Sequence, residues 1–245
     1  MGLQGKKVLV FGAGISGTGS CRLLADKGAE VILYDGNEKL DAAAVANQTG
    51  ARVILGTFPE EELARLDLVV MSPGVPTDLP IVLRMKEEGI PVWGEIELAY
   101  VCGKGEILGI TGTNGKTTTT SLLGEIMKNA FESVFVVGNI GNPYTTVANE
   151  TREDSVIVAE LSSFQLESIL TFRPKVSAVL NITPDHLNRH HTMEAYIQAK
   201  QDIAKNQTSE DTCILNYEDE VTRGMADKID ASVLFFSSAH KLEQG

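Results

Sequence analysis

The chain has 245 residues, of which 43% are hydrophobic and 22% charged, and its formal net charge is −12. These values are typical of a soluble globular protein with two α/β domains or one large one. The acidic balance excludes general nucleic-acid binding, which needs a basic surface. Any phosphate group that the protein binds must therefore be held by local devices, such as backbone N–H groups, helix N-termini, single lysines and metal ions.

The sequence also bears on the compartment in which the protein works. Its N-terminus lacks the apolar stretch and cleavage site of a signal peptide, and no apolar run approaches membrane-spanning length. The three cysteines, Cys21, Cys102 and Cys213, are far apart and lack metal-ligand spacing. We therefore expect reduced thiols in a cytoplasmic protein that has no membrane partner.

Short apolar runs recur along the chain, and most of them are followed by a helical pattern. Because the runs are continuous rather than alternating, they predict strands buried on both faces of parallel sheets. Ligands of such sheets gather at the carboxyl ends of the strands. The predicted strands are Lys7–Phe11, Val31–Tyr34, Leu68–Met71, Ile107–Thr111, Val134–Val137, Val156–Ala159, Val176–Asn181, Cys213–Asn216 and Val233–Phe236.

The pattern predicts two α/β domains. Residues Gly94–Tyr100 resemble a short helix and Gly103–Gly105 a hinge, so we place the first domain at residues 1–93 and the second at residues 94–245. The predicted fold is a Rossmann-like parallel-sheet domain followed by a phosphate-loop α/β domain. The sequence ends just past a strand without a closing helix, and we expect the second domain to be incomplete.

The strand Ile107–Thr111 runs into a glycine-rich loop and then into a helix predicted over Ser121–Met127. This order is typical of loops that cradle a nucleoside triphosphate, here ATP, on backbone N–H groups and a helix N-terminus. Lys116 would reach the terminal phosphates and Thr117 would contact Mg²⁺. The strict motif spacing is not met, because Ile110 occupies the place of the first glycine. The predicted ATP-binding residues are Gly112, Thr113, Asn114, Gly115, Lys116, Thr117, Thr118 and Thr119.

A second glycine-rich turn, Gly12–Gly17, follows the first strand and precedes a helix predicted over Thr18–Ala25. Asp35 ends the second strand, where a ribose-binding acid belongs. The same geometry serves NAD and any other nucleotide with a diphosphate, and a tight turn without a ligand is the alternative. The turn therefore predicts a nucleotide site but no reaction.

Glu160 follows the strand Val156–Ala159 directly. Phosphate-loop enzymes use a carboxylate in this position to hold Mg²⁺ or its waters. An acid at a strand end by chance is the alternative, and the neighbouring phosphate loop favours the metal interpretation.

A carboxylate and an imidazole, Asp185 and His186, follow the strand Val176–Asn181. A lone histidine is more often structural than catalytic, but the position at the carboxyl end of a strand favours a functional role for His186. The other histidines carry no such argument and are predicted to be surface or packing residues; they are His190, His191 and His240.

Lys200 lies in the middle of the apolar stripe of a helix predicted over Glu194–Lys205. A lysine on the inward face of a helix either extends its amine to solvent or loses water. Loss of water lowers the pKa and leaves a neutral amine that can react, for example with CO₂ to give a carbamate.

These motifs together resemble the Mur ligases, ATP-dependent enzymes of peptidoglycan precursor synthesis. The loop Ile110–Thr118 is similar to theirs, including its departure from the strict spacing. The stretch Glu160–Glu167 resembles the family member that adds D-glutamate, and Ser72–Val75, Gly138–Gly141 and Leu180–Leu187 fit the same member. The resemblance covers essentially the whole chain.

The resemblance implies a ligase that joins D-glutamate to UDP-N-acetylmuramoyl-L-alanine, with ATP as co-substrate and Mg²⁺ as cofactor. ATP would convert the L-alanyl carboxylate into an acyl phosphate, which the amine of D-glutamate attacks. The implied catalytic residues are Lys116, His186 and Lys200. The implied magnesium ligands are Thr117, Glu160, His186 and a carbamylated Lys200. The residues implied to bind the UDP substrate are Gly14, Ile15, Ser16, Gly17, Asp35, Ser72, Pro73, Gly74 and Asn139.

The chain departs from the family pattern in two respects. Asn188 stands where the family carries aspartate, which removes a charge at that position. These ligases have a third domain that closes over ATP, and the sequence ends before it. We therefore expect a chain that binds the UDP substrate but does not turn over. We also expect the chain to be a monomer. Three alternatives remain: a ligase with the same loop, such as a folylpolyglutamate synthase; an NAD-dependent oxidoreductase; and a non-catalytic nucleotide-binding module.

Overall fold

The computed structural model describes residues 2–242 and contains two compact units. The first consists of the chain up to Gly103 together with the segments Pro143–Glu150 and Ser168–Leu170. The second consists of Lys104–Asn142, Thr151–Glu167 and the chain from Thr171 onward. Each unit is built on its own parallel sheet.

The first unit has a five-stranded sheet in the order β3-β2-β1-β4-β5, and all of its strand pairs are parallel. The central strands are continuous apolar segments, as expected for strands covered on both faces. The strands are β1 (Lys7–Phe11), β2 (Glu30–Asp35), β3 (Arg52–Leu55), β4 (Leu68–Met71) and β5 (Val92–Gly94). The helices are α1 (Ile15–Asp26), α2 (Ala42–Thr49), α3 (Glu60–Leu63), α4 (Pro80–Glu87) and α5 (Glu95–Cys102).

Two edge strands of this sheet, β3 and β5, were not predicted. Strand β3 has four residues and begins with an exposed arginine, so its apolar run has only three residues, which are half-buried. Strand β5 has three residues and ends in glycine. Edge strands need less apolar sequence than central ones, because one side of the strand has no neighbour.

Helix α5 is the short helix predicted near residue 94, and it belongs to the first unit. It packs against α1 and against the 3-10 turn Tyr144–Thr146. The continuous N-terminal part of the first unit thus runs to Gly103, after the helix, whereas the sequence analysis placed the domain boundary before the helix.

The second unit has a six-stranded parallel sheet in the order β11-β10-β9-β6-β8-β7. Its strands are β6 (Glu106–Thr111), β7 (Val134–Gly138), β8 (Val156–Glu160), β9 (Val176–Val179), β10 (Thr212–Asn216) and β11 (Ser232–Phe236). Its helices are α6 (Lys116–Lys128), α7 (Ser163–Leu166), α8 (Leu187–His190), α9 (Met193–Gln201) and α10 (Glu220–Arg223).

Two elements of the second unit are shorter than predicted. Strand β9 ends at Val179, and the following residues turn towards the loop after β6. Helix α9 ends at Gln201 and continues as the 3-10 turn Asp202–Ala204. Within residues 2–242, no helix is both long and apolar enough to cross a membrane.

Candidate functional site

The glycine-rich loop of the second unit joins β6 to α6. Gly112 (φ 147°) and Gly115 (φ 84°) both have a positive φ, which glycine adopts without strain. Gly115 is the N-cap of α6 and provides no side-chain cap. Within the described residues, the N–H groups of Lys116, Thr117 and Thr118 have no protein acceptor. The loop therefore presents the open helix N-terminus that binds anions in other proteins.

The side chain of Lys116 folds back over this loop. Its Nζ donates to the carbonyl oxygens of Gly112 at 2.9 Å and of Thr113 at 2.8 Å. The amine is therefore held beside the open N–H groups by two neutral acceptors. Phosphate oxygens can replace these acceptors, because a charge-assisted hydrogen bond to an anion is the stronger one.

Lys200 approaches the same loop from α9. The side chain is 2% exposed, and Nζ donates to the Gly112 oxygen at 2.7 Å. Burial, and secondarily the like charge of Lys116, lowers the pKa of Lys200 to about 7, although Asp185 acts in the opposite direction. Burial on the inward face of the helix was predicted and is confirmed. The structure thus brings Lys116 and Lys200 to one carbonyl oxygen.

Two residues that the sequence analysis did not assign to the site also contact the loop. Tyr196, one turn before Lys200 on α9, shares a hydrogen bond of 3.0 Å with the Thr113 hydroxyl, and its ring lies 4.9 Å from the Lys200 amine. Asn181 bonds to the backbone of Asn114 through both ends of its side-chain amide. The signal for Tyr196 was available, since residues four apart share a helix face.

Glu160 ends β8 and is 1% exposed. Its Oε1 accepts a hydrogen bond of 2.8 Å from Asn139 Nδ2, while its Oε2 has no hydrogen-bond partner among the residues that the structure describes. A buried carboxylate oxygen without a donor is costly unless a cation completes it. The donor set is therefore suited to a hard cation such as Mg²⁺.

His186 is exposed and stands at the N-cap of α8 with a φ of 54°, which is uncommon outside glycine. Its ring lies 5.0 Å from the Phe164 ring and 6.5 Å from the Tyr196 ring. The described residues contain no cluster of three or more His, Cys, Asp or Glu side chains suited to a metal. The predicted metal set has only two such side chains, His186 and Glu160, so Thr117 and a modified Lys200 would have to complete it.

His190, predicted to be a surface or packing residue, is buried beside α7. Its Nε2 lies 2.9 Å from the Ser163 hydroxyl and its Nδ1 lies 3.2 Å from Glu167 Oε1. Burial lowers its pKa, with Glu167 acting in the opposite direction. The imidazole lies between the Phe164 ring of α7 and the Tyr196 ring of α9, at centroid distances of 5.4 Å and 5.2 Å.

The glycine-rich turn of the first unit joins β1 to α1, and the loop after β4 packs closely against it. A Cβ on Gly17 would lie 1.8 Å from the Gly12 oxygen, so only glycine is accommodated there. The Ser72 hydroxyl donates to the same oxygen at 3.2 Å, and Asp35 Oδ2 accepts from the Ala13 N–H at 2.8 Å. Three separate segments therefore meet at the carboxyl ends of parallel strands.

The remaining residues predicted for the UDP substrate lie around this turn or in the second unit. Gly14 caps α1 without a side-chain hydrogen bond, and Ile15 is 70% exposed. Ser16 is the second residue of the same helix, and Pro73 and Gly74 follow Ser72 in the loop after β4. Asn139 belongs to the second unit, where its amide is bonded to Glu160.

Comparison with known proteins places the two units in one family. Residues 6–94 match the Mur ligase MurD-like N-terminal domain, and residues 110–244 match the Mur ligase middle domain. The whole chain is 58% identical, over 249 residues, to the UDP-N-acetylmuramoylalanine–D-glutamate ligase of Lachnoclostridium phytofermentans, and it covers 55% of that protein. It is 50% identical, over 250 residues, to the enzyme of the same name from Clostridioides difficile, again covering 55%. The chain thus spans about half the length of the curated relatives that it matches.

Solved structures show the same fold at lower identity. The UDP-N-acetylmuramate:L-alanyl-gamma-D-glutamyl-meso-diaminopimelate ligase of Neisseria meningitides is 17% identical, with a TM-score of 0.65 over 98% of this chain and 82% of that one. The UDP-N-acetylmuramate-alanine ligase of Thermotoga maritima is 24% identical, with a TM-score of 0.55 over 96% of this chain and 53% of that one. Because the middle-domain match alone covers more than half of the sequence, the chain belongs to the Mur ligase family.

Proposed function

We propose that this chain forms the part of a UDP-N-acetylmuramoylalanine–D-glutamate ligase that binds UDP-N-acetylmuramoyl-L-alanine and ATP. Curated relatives at 47–58% identity over the whole chain carry that enzyme name. The observation that carries the proposal is the meeting of Lys116 and Lys200 on the Gly112 carbonyl beside an open helix N-terminus. We further propose that the chain works as a monomer in the cytoplasm, where ATP is available.

In the proposed ATP site, the N–H groups at the start of α6 donate hydrogen bonds to the phosphate oxygens. Lys116 moves from its two carbonyl acceptors to the terminal phosphates and neutralises their charge. Thr117 and Thr118 are exposed at the first turn of α6, where the hydroxyl of Thr117 can reach a phosphate-bound cation. These residues suit the transfer of a γ-phosphoryl group.

Mg²⁺ would be held by Glu160, His186, Thr117 and, as a carbamate, Lys200. The unpartnered buried oxygen of Glu160 supports this assignment. The low pKa of Lys200, about 7, supports the carbamate, because only a neutral amine reacts with CO₂. Bound Mg²⁺ would neutralise charge on the phosphate oxygens.

The proposed reaction needs these groups because a carboxylate is a poor electrophile. The L-alanyl carboxylate of the UDP substrate takes the γ-phosphoryl group of ATP, which gives an acyl phosphate and ADP. The amine of D-glutamate then attacks the acyl carbon, and inorganic phosphate leaves as the amide forms. Several anions meet at this point, and Lys116 supplies compensating charge from the chain itself.

In the first unit, we propose that the turn Gly12–Gly17 and the start of α1 hold the diphosphate of the UDP group. One carboxylate oxygen of Asp35 accepts a hydrogen bond from the Ala13 N–H and the other from the Asn37 N–H, so Asp35 also fixes the shape of the turn. The Ser72–Gly74 loop lies against the same turn through Gly12. Asn139 is assigned to the muramoyl group only by the family resemblance.

The ATP site can be tested by calorimetric titration of the chain with ATP and Mg²⁺. We expect saturable binding that Lys116→Met weakens about tenfold or more, because a charge-assisted hydrogen bond is lost. Lys128→Met is the matched control, since Lys128 lies at the other end of α6 and, within residues 2–242, pairs only with Glu125 in the same helix. Absence of ATP binding by the unaltered chain, or equal affinity of Lys116→Met, would contradict the proposal.

A further inference from the structure

Asn181 makes three hydrogen bonds to two consecutive residues of the phosphate loop. Its backbone oxygen accepts from the Thr113 N–H at 2.8 Å. Its side-chain Oδ1 accepts from the Asn114 N–H at 2.9 Å, and its Nδ2 donates to the Asn114 oxygen at 2.9 Å. The side-chain amide thus pairs with the backbone of Asn114 as a neighbouring strand would.

The segment that carries Asn181 is held by hydrogen bonds to residues at the end of β10 and just after it. The Ile182 N–H donates to Asp219 Oδ2 at 2.7 Å, and Asn216 Nδ2 donates to the Leu180 oxygen at 2.9 Å. Asp219 is also the N-cap of α10. The backbone on both sides of Asn181 is therefore held by hydrogen bonds, which restricts the position of the Asn181 side chain.

Every carbonyl from Gly112 to Asn114 is bonded to a side-chain donor. Lys116 and Lys200 share the Gly112 oxygen, Lys116 also bonds to the Thr113 oxygen, and Asn181 bonds to the Asn114 oxygen. Carbonyl oxygens repel phosphate, so their orientation decides whether the loop accepts an anion. Among these donors, Asn181 alone is a neutral amide. A phosphate group therefore does not attract it away from Asn114 as it attracts the amine of Lys116.

We propose that Asn181 is a positioning residue for the nucleotide site, which rests on the proposed binding of ATP in the second unit. Its amide holds Asn114 in place before the nucleotide arrives and keeps it there when Lys116 moves to the phosphates. The N–H groups of Thr113 and Asn114 are occupied by Asn181, so the phosphates are directed to the N–H groups of α6. Preorganisation of this kind improves affinity by reducing the ordering that binding must impose.

The test compares Asn181→Ala and Asn181→Asp with the unaltered chain. Amide hydrogen exchange of Asn114 is measured by NMR in the nucleotide-free protein, and ATP–Mg²⁺ affinity is measured by calorimetry. In Asn181→Ala we expect Asn114 exchange to be at least about tenfold faster and ATP binding about tenfold weaker, since two side-chain bonds are lost. In Asn181→Asp, the retained acceptor should keep the Asn114 amide protected, while the lost donor still weakens ATP binding.

Asn129→Ala is the control, because Asn129 bonds to the Glu125 oxygen at the far end of α6. It removes a comparable hydrogen bond and should leave both the Asn114 amide and the ATP affinity unchanged. Unchanged Asn114 exchange in Asn181→Ala, or unchanged ATP affinity in Asn181→Asp, overturns the inference. If the unaltered chain binds no ATP, the proposed function fails, and the exchange rates still decide whether Asn181 holds the loop. If Asn181→Ala does not fold, Asn181→Asp decides.

Discussion

The amine of Lys200 lies among groups that disfavour its charge. The side chain has lost its water, and the ammonium of Lys116 shares the same carbonyl acceptor. The face of the Tyr196 ring, 4.9 Å away, and the Gly112 oxygen offset only part of this cost. The pKa of Lys200 therefore falls from 10.5 to about 7. Because the pKa of Lys200 differs between the folded and the unfolded chain, Lys200 changes the free energy of unfolding between those two pKa values.

Below about pH 7 both the folded and the unfolded chain hold this proton, and burial of the charge costs stability in full. Between the folded pKa of about 7 and the unfolded pKa of 10.5, the unfolded chain binds more protons, so the contribution of Lys200 to the free energy of unfolding rises with pH. We expect Lys200→Met to stabilise the second unit by a few kcal/mol near pH 6. The advantage should shrink towards pH 10.

Denaturant unfolding at several pH values, in buffer free of CO₂, measures this difference. Lys205→Met is the matched control, because Lys205 follows α9 and its side chain is only partly buried, beside Asp202. The free energy of unfolding of Lys205→Met should follow that of the unaltered chain at every pH. A difference between Lys200→Met and the unaltered chain that does not vary with pH would show that Lys200 is not titrating near neutrality.

Helical periodicity is a local property, and it could place Lys200 and Tyr196 on the inward face of one helix, while the role of Lys200 in the site came from the family resemblance. The sequence did not assign Asn181 or Tyr196 to the site, because their partners Asn114 and Thr113 are 67 and 83 residues away in the chain. Periodicity shows that a side chain faces inward but does not show which loop it meets. Residue-level contacts of this kind depend on the strand order, which single-residue patterns do not determine.

At the scale of elements, the central strands of both sheets were predictable, whereas the two edge strands of the first sheet were not. Strands β1, β4 and β8 are wholly or almost wholly buried, and they consist of apolar residues apart from Lys7 at the start of β1 and Glu160 at the end of β8. Strands β3 and β5 are short and lie at the edges of their sheet, with too few apolar residues to distinguish them from loops. The glycine-rich turns were found because their spacing reflects a close backbone approach.

The junction of β1 and α1 provides a matched pair of glycine substitutions. In Gly17→Ala the new Cβ would lie 1.8 Å from the Gly12 oxygen, whereas Gly14→Ala meets no atom within 4 Å at a φ of −70°. We expect Gly17→Ala to destabilise the first unit by about 3 kcal/mol or more, and Gly14→Ala to change its stability by less than about 1 kcal/mol.

The fluorescence of Trp93, the single tryptophan, reports on this unit alone, since it lies in β5 and is 7% exposed. Thermal or denaturant unfolding followed at this residue therefore separates the two variants. Equal stability of Gly17→Ala and Gly14→Ala would show that α1 can move away from the turn without cost.

At the scale of the whole molecule, an acidic chain is proposed to bind two anionic ligands. The net charge of −12 opposes both of them at long range. Attraction must then come from local groups: in the second unit from the start of α6 and Lys116, and in the first unit from the start of α1. Three acidic residues lie at the two sites: Glu160 and Asp35 are bonded within their sites, and Asp185 acts electrostatically on Lys200.

The most direct test of the account is a calorimetric titration of the chain with UDP-N-acetylmuramoyl-L-alanine, with NADH titrated in parallel. Both ligands carry a diphosphate that the turn Gly12–Gly17 could accept, so the comparison isolates the identity of the substrate. We predict saturable binding of the UDP compound and none of NADH, with a change in Trp93 fluorescence on binding. Saturable binding of NADH without binding of the UDP compound would contradict the account.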